Sequence, residues 1–286
     1  MTALGVDIGG TSVKVAAHDA GGAWRTATSD RYASPSPDTV RSAIQQGVAS
    51  LDLADHAPAT VGLCLPGVLD DRGERVAYAA NLPELGGLEV RRLLPDALGA
   101  GPVRVFADAL CAGVGVWLGE PVSGRLLTLA MGAGVGACLL ESGRPATLDG
   151  RGAGHVGQLD VSLSDHAPIG PDGGRGSLEA YVGAPALVAR FGDKLSGALA
   201  SLDGQDPVLR ALARAIRICH AIYTPDHIRL CGGVGAMLAP SAPALRSLVE
   251  QDLTLVSRER WSLACVDDLH LGAKGAAHLG AQPAGD

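Results

Sequence analysis

The sequence predicts an α/β protein of two lobes with a cleft between them, on three observations. Strand-like apolar runs alternate with helical periodicities in two successive series along 286 residues. A hairpin with a glycine turn opens the chain. The same pattern recurs 123 positions later, where Leu129-Ala130-Met131-Gly132-Ala133-Gly134 echoes Val6-Asp7-Ile8-Gly9-Gly10-Thr11. The expected N-terminal lobe is 1–121, with 272–286 able to pack back on it, and the C-terminal lobe is 122–271.

In order along the chain, Leu4 to Ile8 and Val13 to Ala17 read as two strands, since paired glycines supply the positive φ angles of a tight turn. Gly21-Gly22 turns into a short third strand over 23–28. Ser36 as N-cap with Pro37 at the first helical position starts a helix whose apolar face is Val40, Ile44, Val48 and Leu51. A strand over 60–65 stops at Pro66-Gly67. Asn81-Leu82-Pro83 forms a loop before a short helix expected over 88–98. Val103 to Phe106 is a strand, and Asp108 directly precedes a helix over 109–118.

The second series begins with the strands on either side of Gly132-Ala133-Gly134. Residues 141–176 are dense in Gly, Asp and Pro, which predicts a site-building loop. Helix returns over 178–191, bent near Pro185. Asp206-Pro207 then caps a long helix whose face carries Leu209, Leu212, Ile216, Cys219 and Tyr223. A strand over 228–231 runs into Gly232-Gly233-Val234-Gly235, a helix is expected near 242–251, and a glycine-bracketed helix over 274–279 ends the chain.

Composition excludes several classes. Forty glycines are about twice ordinary usage, while aromatics are only 3%, so close backbone approaches are many and stacking platforms few. Net charge is -7, with no Lys or Arg run to follow a phosphate backbone, which argues against nucleic-acid partners. The six cysteines show no CxxC spacing and read as small core residues in a reducing compartment. Glycines break the longest apolar stretch, 126–140, and the opening strand has no basic leader. The expectation is a cytoplasmic protein without a membrane partner.

Two readings of the opening stretch stand side by side. It is a plain hairpin, or it is a phosphate cradle in which turn N–H groups and the Thr11 hydroxyl meet an anion while Asp7 holds a phosphate-bound cation through water. The strand-to-glycine turn at Gly232-Gly233 is suited to the same use.

The ordered set of motifs resembles the ROK family (repressors, open reading frames and kinases), within the actin-like sugar kinases. The matching segments are Asp7-Ile8-Gly9-Gly10-Thr11 with Lys14, Pro66-Gly67, Asn81-Leu82-Pro83, Asp108, Gly132-Ala133-Gly134-Val135-Gly136, Gly176-Ser177-Leu178-Glu179-Ala180-Tyr181 and Gly232-Gly233-Val234. The resemblance implies two RNase H-like lobes, with ATP and magnesium between them and a sugar pocket at the cleft floor. It allows a homodimer. It also implies transfer of phosphate from ATP to a primary hydroxyl of a sugar or sugar-like polyol. Nucleotide contacts fall on Asp7, Gly9, Gly10, Thr11, Lys14, Gly132, Ala133, Gly134, Gly232 and Gly233, with magnesium weakly held near Asp7.

Asp108 matches the family's catalytic aspartate, which accepts the hydroxyl proton; the structural alternative is an N-cap for the helix it precedes. Asn81 and Glu179 match sugar-hydroxyl contacts, against the alternatives of a turn former and a first-turn charge. Gly67 matches a nearby backbone contact.

Four departures bear on the substrate and on metal. Ala107 stands before Asp108 where the family has Asn, and Ala133 replaces the usual Thr. His155 and Gln158 stand where the family has its sugar-gripping Glu and its zinc-binding His. The zinc cysteines correspond to Gly170, Asp172 and Ser177, so no structural zinc is expected. The altered loop points to a modified acceptor: an amino sugar or a C7-cyclitol. A non-catalytic sugar-sensing ROK protein is the reading from another class. It is disfavoured because the chain begins directly in its first strand, without a DNA-binding helical domain.

Overall fold

The structure is a computed structural model that describes residues 3–18, 21–52, 58–70, 73–79, 82–99, 102–147, 152, 154–170, 173–255, 257 and 260–283. In chain order the first elements are β1 (Ala3–Ile8), β2 (Val13–His18), β3 (Trp24–Thr28), α1 (Pro37–Ala49), β4 (Thr60–Leu65), β5 (Val68–Leu69), β6 (Val76–Tyr78), α2 (Asp96–Gly99), β7 (Val103–Ala107) and α3 (Asp108–Gly119). They are followed by β8 (Arg125–Met131), β9 (Val135–Glu141), β10 (Arg144–Pro145), α4 (Leu178–Val182), α5 (Ala184–Phe191), α6 (Leu195–Ala200) and α7 (Pro207–Tyr223). The last elements are β11 (His227–Cys231), α8 (Gly232–Met237), α9 (Ala242–Asp252), β12 (Ser262–Cys265) and α10 (Leu271–Ala281). The chain divides into two compact units, Met1–Gly119 with Leu269–Asp286, and Glu120–Asp268. No helix among the described residues is long and apolar enough to cross a membrane.

The first unit is built on a five-stranded sheet in the order β3-β2-β1-β4-β7. The first three strands are antiparallel neighbours, while β4 and β7 run parallel to β1. Helix α1 starts as its sequence dictates: the Ser36 hydroxyl accepts from the Thr39 N–H at 3.1 Å and Pro37 occupies the first turn. Its apolar stripe is buried, with Val40 and Ile44 at zero exposure. The single helix expected over 88–98 is instead a 3-10 turn, Val90–Leu93, followed by the short α2. Pro95 is the reason, because it drives the preceding residue out of helical geometry, and Leu94 sits at φ -90, ψ 140.

Helix α10 returns to this first unit and packs on β1, β4 and α3. The approach is backbone to backbone. A Cβ on Gly62 of β4 would lie 1.8 Å from the Ala276 carbonyl oxygen, and one on Gly5 of β1 would lie 1.8 Å from that of Ala273. Only hydrogen fits at either place.

The second unit repeats the plan, with a sheet in the order β10-β9-β8-β11-β12, two antiparallel pairings followed by two parallel ones. The short echo between the two glycine hairpins thus extends to a whole strand order. Helix α7 is capped by the Asp206 carboxylate, which accepts from the Val208 N–H at 2.8 Å. Leu209, Leu212, Ile216 and Cys219 form its fully buried face. The break within 178–191 falls at Gly183, between α4 and α5, so Pro185 sits in the first turn of a new helix rather than at a bend.

The contact at Gly62 leads to a direct expectation. Gly62→Ala lowers stability by about 3 kcal/mol through overpacking against a helix backbone that cannot yield. Gly197→Ala is the control, since a Cβ there meets nothing within 4 Å in α6; it leaves stability unchanged or raises it by up to about 1 kcal/mol. Urea unfolding of the two variants checks both values.

Candidate active site

In the first unit the parallel strands β1, β4 and β7 deliver their carboxyl ends to one place, the usual position of a ligand site in an α/β sheet. The register pairs Asp7 with Cys64 and Cys64 with Phe106, and Asp108 follows β7 at once. On the other side of β1, Lys14 of β2 pairs with Asp7. The Lys14 Nζ lies 3.8 Å from where a Cβ on Gly9 would stand, which sets an ammonium beside the first glycine turn.

That turn is closed by the Gly9 N–H donating to the Ser12 carbonyl at 3.1 Å. Gly10 and Thr11 are exposed at its tip. Tyr32 clamps it from outside, its hydroxyl donating to the Gly9 carbonyl at 2.6 Å and its N–H to the Thr11 carbonyl at 2.9 Å. Burial and the nearby negative charge of Asp7 push the Tyr32 phenol up to about 12, so it remains a donor at neutral pH.

Desolvation raises the Asp7 carboxyl above its ordinary value, against the opposing pull of Lys14, a hydrogen bond from Cys64, and His270. The helix behind it permits this placement. A Cβ on Gly272 of α10 would lie 2.6 Å from Asp7 Oδ2. The Cys64 thiol is pushed well above the usual range by its hydrogen bond with Cys111 and by burial. It is a neutral donor beside Asp7, not a thiolate.

Asp108 is open to solvent at the residue level, yet enough protein crowds its carboxyl that desolvation raises its pKa, with a further rise from the charge of Asp7. It accepts from the adjacent Ala109 N–H at 2.7 Å. An N-cap accepts from an N–H two or three residues on. Asp108 is instead itself the first helical residue, its carboxyl bonded to the backbone N–H groups of Ala109 and of Asp108 itself.

In the second unit, β8 and β11 are parallel neighbours that both end in glycine turns. Gly132 donates to the Gly134 carbonyl at 2.9 Å and accepts from the Ala184 N–H at 2.8 Å, so the turn Gly132-Ala133-Gly134 is braced by the start of α5. Gly232, at φ +79, lies against it: a Cβ there would meet the Met131 carbonyl at 2.5 Å. At Gly132 and Gly233 a Cβ would meet nothing within 4 Å. The backbone at both is open to an approaching group.

Glu179 belongs to this cluster. Its Oε1 accepts from the Val135 N–H at 2.8 Å, and a Cβ on Gly157 would lie 2.4 Å from the same oxygen. The carboxylate therefore links the second glycine turn to the 3-10 turn Val156–Gln158. His155 precedes that turn and Gln158 ends it, and both are exposed. Gly67, at φ +135, packs against the Tyr78 and Ala79 backbone beside the β5–β6 hairpin. Asn81 lies outside the described residues, as does Asp172 of the zinc-equivalent positions. Ser177 is buried, and Gly170 donates to the Gly174 carbonyl at 2.8 Å, within a hairpin whose bridge joins Ile169 and Arg175.

Tyr32, Cys64 and Gly272 are site neighbours that pattern reading did not find. Tyr32 lies in a loop without periodicity, and Cys64 reads as an ordinary strand residue. Gly272 had one usable signal, the run of glycines bracketing the last helix.

The family model for ROK matches residues 3–282. The chain belongs to the ROK family. Kanosamine kinase of Amycolatopsis mediterranei is 27% identical over 260 residues, covering 85% of this chain and 84% of that protein. An Escherichia coli N-acetyl-D-glucosamine kinase is 29% identical over 170 residues, covering 59% of this chain and 55% of that one. Among solved structures, a ROK family glucokinase from Streptomyces griseus, in complex with glucose and AMPPNP, superposes with a TM-score of 0.71. It is 20% identical, with 98% of this chain and 99% of that one covered. The two mixed sheets with their helices are thus the actin-like ATPase fold of the ROK sugar kinases.

The raised carboxyl of Asp7 has a consequence for folding. A folded-state pKa above the unfolded value near 3.8 means that the folded chain binds the proton more tightly. Stability therefore falls as pH climbs from that value through the raised one. Asp7→Asn removes this slope, and without ligands it melts higher than the parent at pH 7. Thermal unfolding from pH 4 to 8 checks it; a lower melting point for the variant at pH 7 contradicts the assignment.

Proposed function

We propose that this ROK protein is an ATP-dependent kinase for a primary hydroxyl of a hexose, an amino sugar or a related cyclitol. The observation that supports the reading best is Asp108: a solvent-open carboxylate at the carboxyl end of a parallel strand, with its pKa raised toward that of a useful base. Phosphoryl transfer asks for positioning, charge neutralisation and a proton acceptor, and the chain carries groups suited to each.

In the proposed reaction Asp108 accepts the proton of the attacking hydroxyl. The sugar oxygen forms its bond to the γ-phosphorus as the bond to the β-phosphate oxygen breaks, and ADP leaves. The turns Gly9-Gly10-Thr11, Gly132-Ala133-Gly134 and Gly232-Gly233 and the Lys14 ammonium are assigned to the phosphates of the nucleotide, with the Gly9 and Gly132 N–H groups closing their own turns. Magnesium, when bound with the nucleotide, neutralises phosphate charge. Asp7 would hold it, since magnesium commonly takes one or two carboxylates together with substrate phosphates.

Asn81, Gly67 and Glu179 are assigned to the acceptor, with Glu179 also fixing the turn at Val135. The acceptor end near His155 and Gln158 favours an amino sugar. An imidazole donates or accepts according to tautomer and an amide does both, whereas an ionised Glu only accepts. The kanosamine kinase likeness over most of the chain supports the same class. A C7-cyclitol is the other acceptor to test.

ADP release across a panel of glucose, N-acetylglucosamine, 3-amino-3-deoxyglucose and C7-cyclitols tests the reading. At least one acceptor is expected to give turnover, and Asp108→Asn to lower kcat by roughly two to four powers of ten with nucleotide affinity intact. ATP binding with no turnover above the Asp108→Asn protein on any acceptor would favour a sugar sensor instead.

A further inference from the structure

Away from these residues, the second unit holds a groove of about 610 Å³ between α7 and α9 that nothing above uses. Arg210, Arg214 and Arg217 line it. They stand at i, i+4 and i+7, so one face of α7 presents three guanidinium groups over roughly 10 Å of helix. Like charges stacked this way repel one another unless an anion lies between them. Arg217 has a partner in Asp252, at 2.9 Å, and Arg214 donates to the Ser162 carbonyl at 2.6 Å and lies close enough to stabilise the ionised Asp160. The Arg210 side chain has no hydrogen bond or ion pair among the described residues.

The second observation is in the floor. His220 lines the groove with only 2% of its surface exposed, and its Nε2 has no hydrogen-bond partner among the described residues. A buried polar atom left unpaired costs about 1–3 kcal/mol. The ring edge meets Trp261 at a centroid distance of 4.9 Å, which holds the imidazole in place without satisfying it. Burial lowers the His220 pKa, so the ring is neutral at pH 7 and offers one donor and one acceptor.

We propose that this groove is a binding site for a small phosphate monoester. Its phosphate rests on the Arg210 and Arg214 forks, and its organic part lies over the groove floor at His220. Guanidinium groups match phosphate oxygens in pairs; Arg214 is already held in place by the Ser162 carbonyl, and Arg210 is the arginine with its donors free among the described residues. A groove of this volume, floored by buried side chains, suits a small molecule better than an acidic peptide lying across the rim. The site is independent of the kinase reading.

Titration calorimetry of the full chain tests it with three ligands: inorganic phosphate, glucose 6-phosphate and, as the uncharged control, glucose. Both phosphate ligands are expected to bind, the sugar phosphate more tightly. Arg210→Glu, at an exposed position that leaves folding intact, is expected to weaken both by roughly tenfold or more and to leave the glucose titration unchanged. The His220 ring nitrogens, followed by 15N NMR, shift with glucose 6-phosphate in the parent and not in the variant. Absence of saturable binding by either phosphate ligand, or affinities unaltered in Arg210→Glu, overturns the proposal.

Discussion

The contact on which the first unit depends is that of α10 with the backbones of β1, β4 and α3. Glycine on the strands lets a helix lie closer to a sheet than any side chain permits, with carbonyl oxygens of α10 where the Cβ atoms of Gly5 and Gly62 would be. The same seating brings Gly272 against the Asp7 carboxylate and sets His270 where it bonds Thr28 at 3.1 Å. The end of the chain thus lies against the carboxylate that closes β1. A helix held a methyl group farther away would uncover Asp7 and lose the desolvation that raises its pKa.

The two units share a strand order but carry different chemistry on it. The first presents carboxylates, Asp7 and Asp108, beside its own glycine turn, while the second presents the turns at Gly132 and Gly232, with the Glu179 carboxylate bonded to Val135 beside the first of them. In each case the site stands at the carboxyl ends of parallel neighbours, where strands stop and backbone groups come free of the ladder. Desolvated acids suit proton transfer, and N–H groups suit phosphate; neither set serves both tasks.

Much of this was legible because it rests on local rules. Ser36-Pro37 and Asp206-Pro207 announce their helices, since a cap and a proline act within a few residues, and the glycine turns mark both hairpins. The helix expected over 88–98 gives way to a 3-10 turn and the short α2 for a local reason too, since Pro95 breaks the segment. What the pattern could not show is what depends on distant segments meeting. Tyr32 reaches Gly9 across 23 residues, Cys64 finds Cys111 only when α3 lies on β4, and Gly272 meets Asp7 from the far end of the chain. The motif singles out Glu179, but its hold on Val135 follows from tertiary contact alone. The arginine row on α7 was present in the sequence as ordinary polar positions of an amphipathic helix, and the groove beside it needed α9.

We propose that desolvation at the carboxyl end of β7, with the Asp7 charge adding to it, raises the Asp108 carboxyl and fits it to act as the base. The most direct measurement is a titration of the Asp108 side-chain carboxyl by 13C NMR, in the parent chain and in Asp7→Asn. The account predicts a parent pKa above the ordinary aspartate value near 3.8 and a fall toward that value once the Asp7 charge is removed. An Asp108 that titrates at the ordinary value in the parent, or whose pKa does not move in Asp7→Asn, would contradict it.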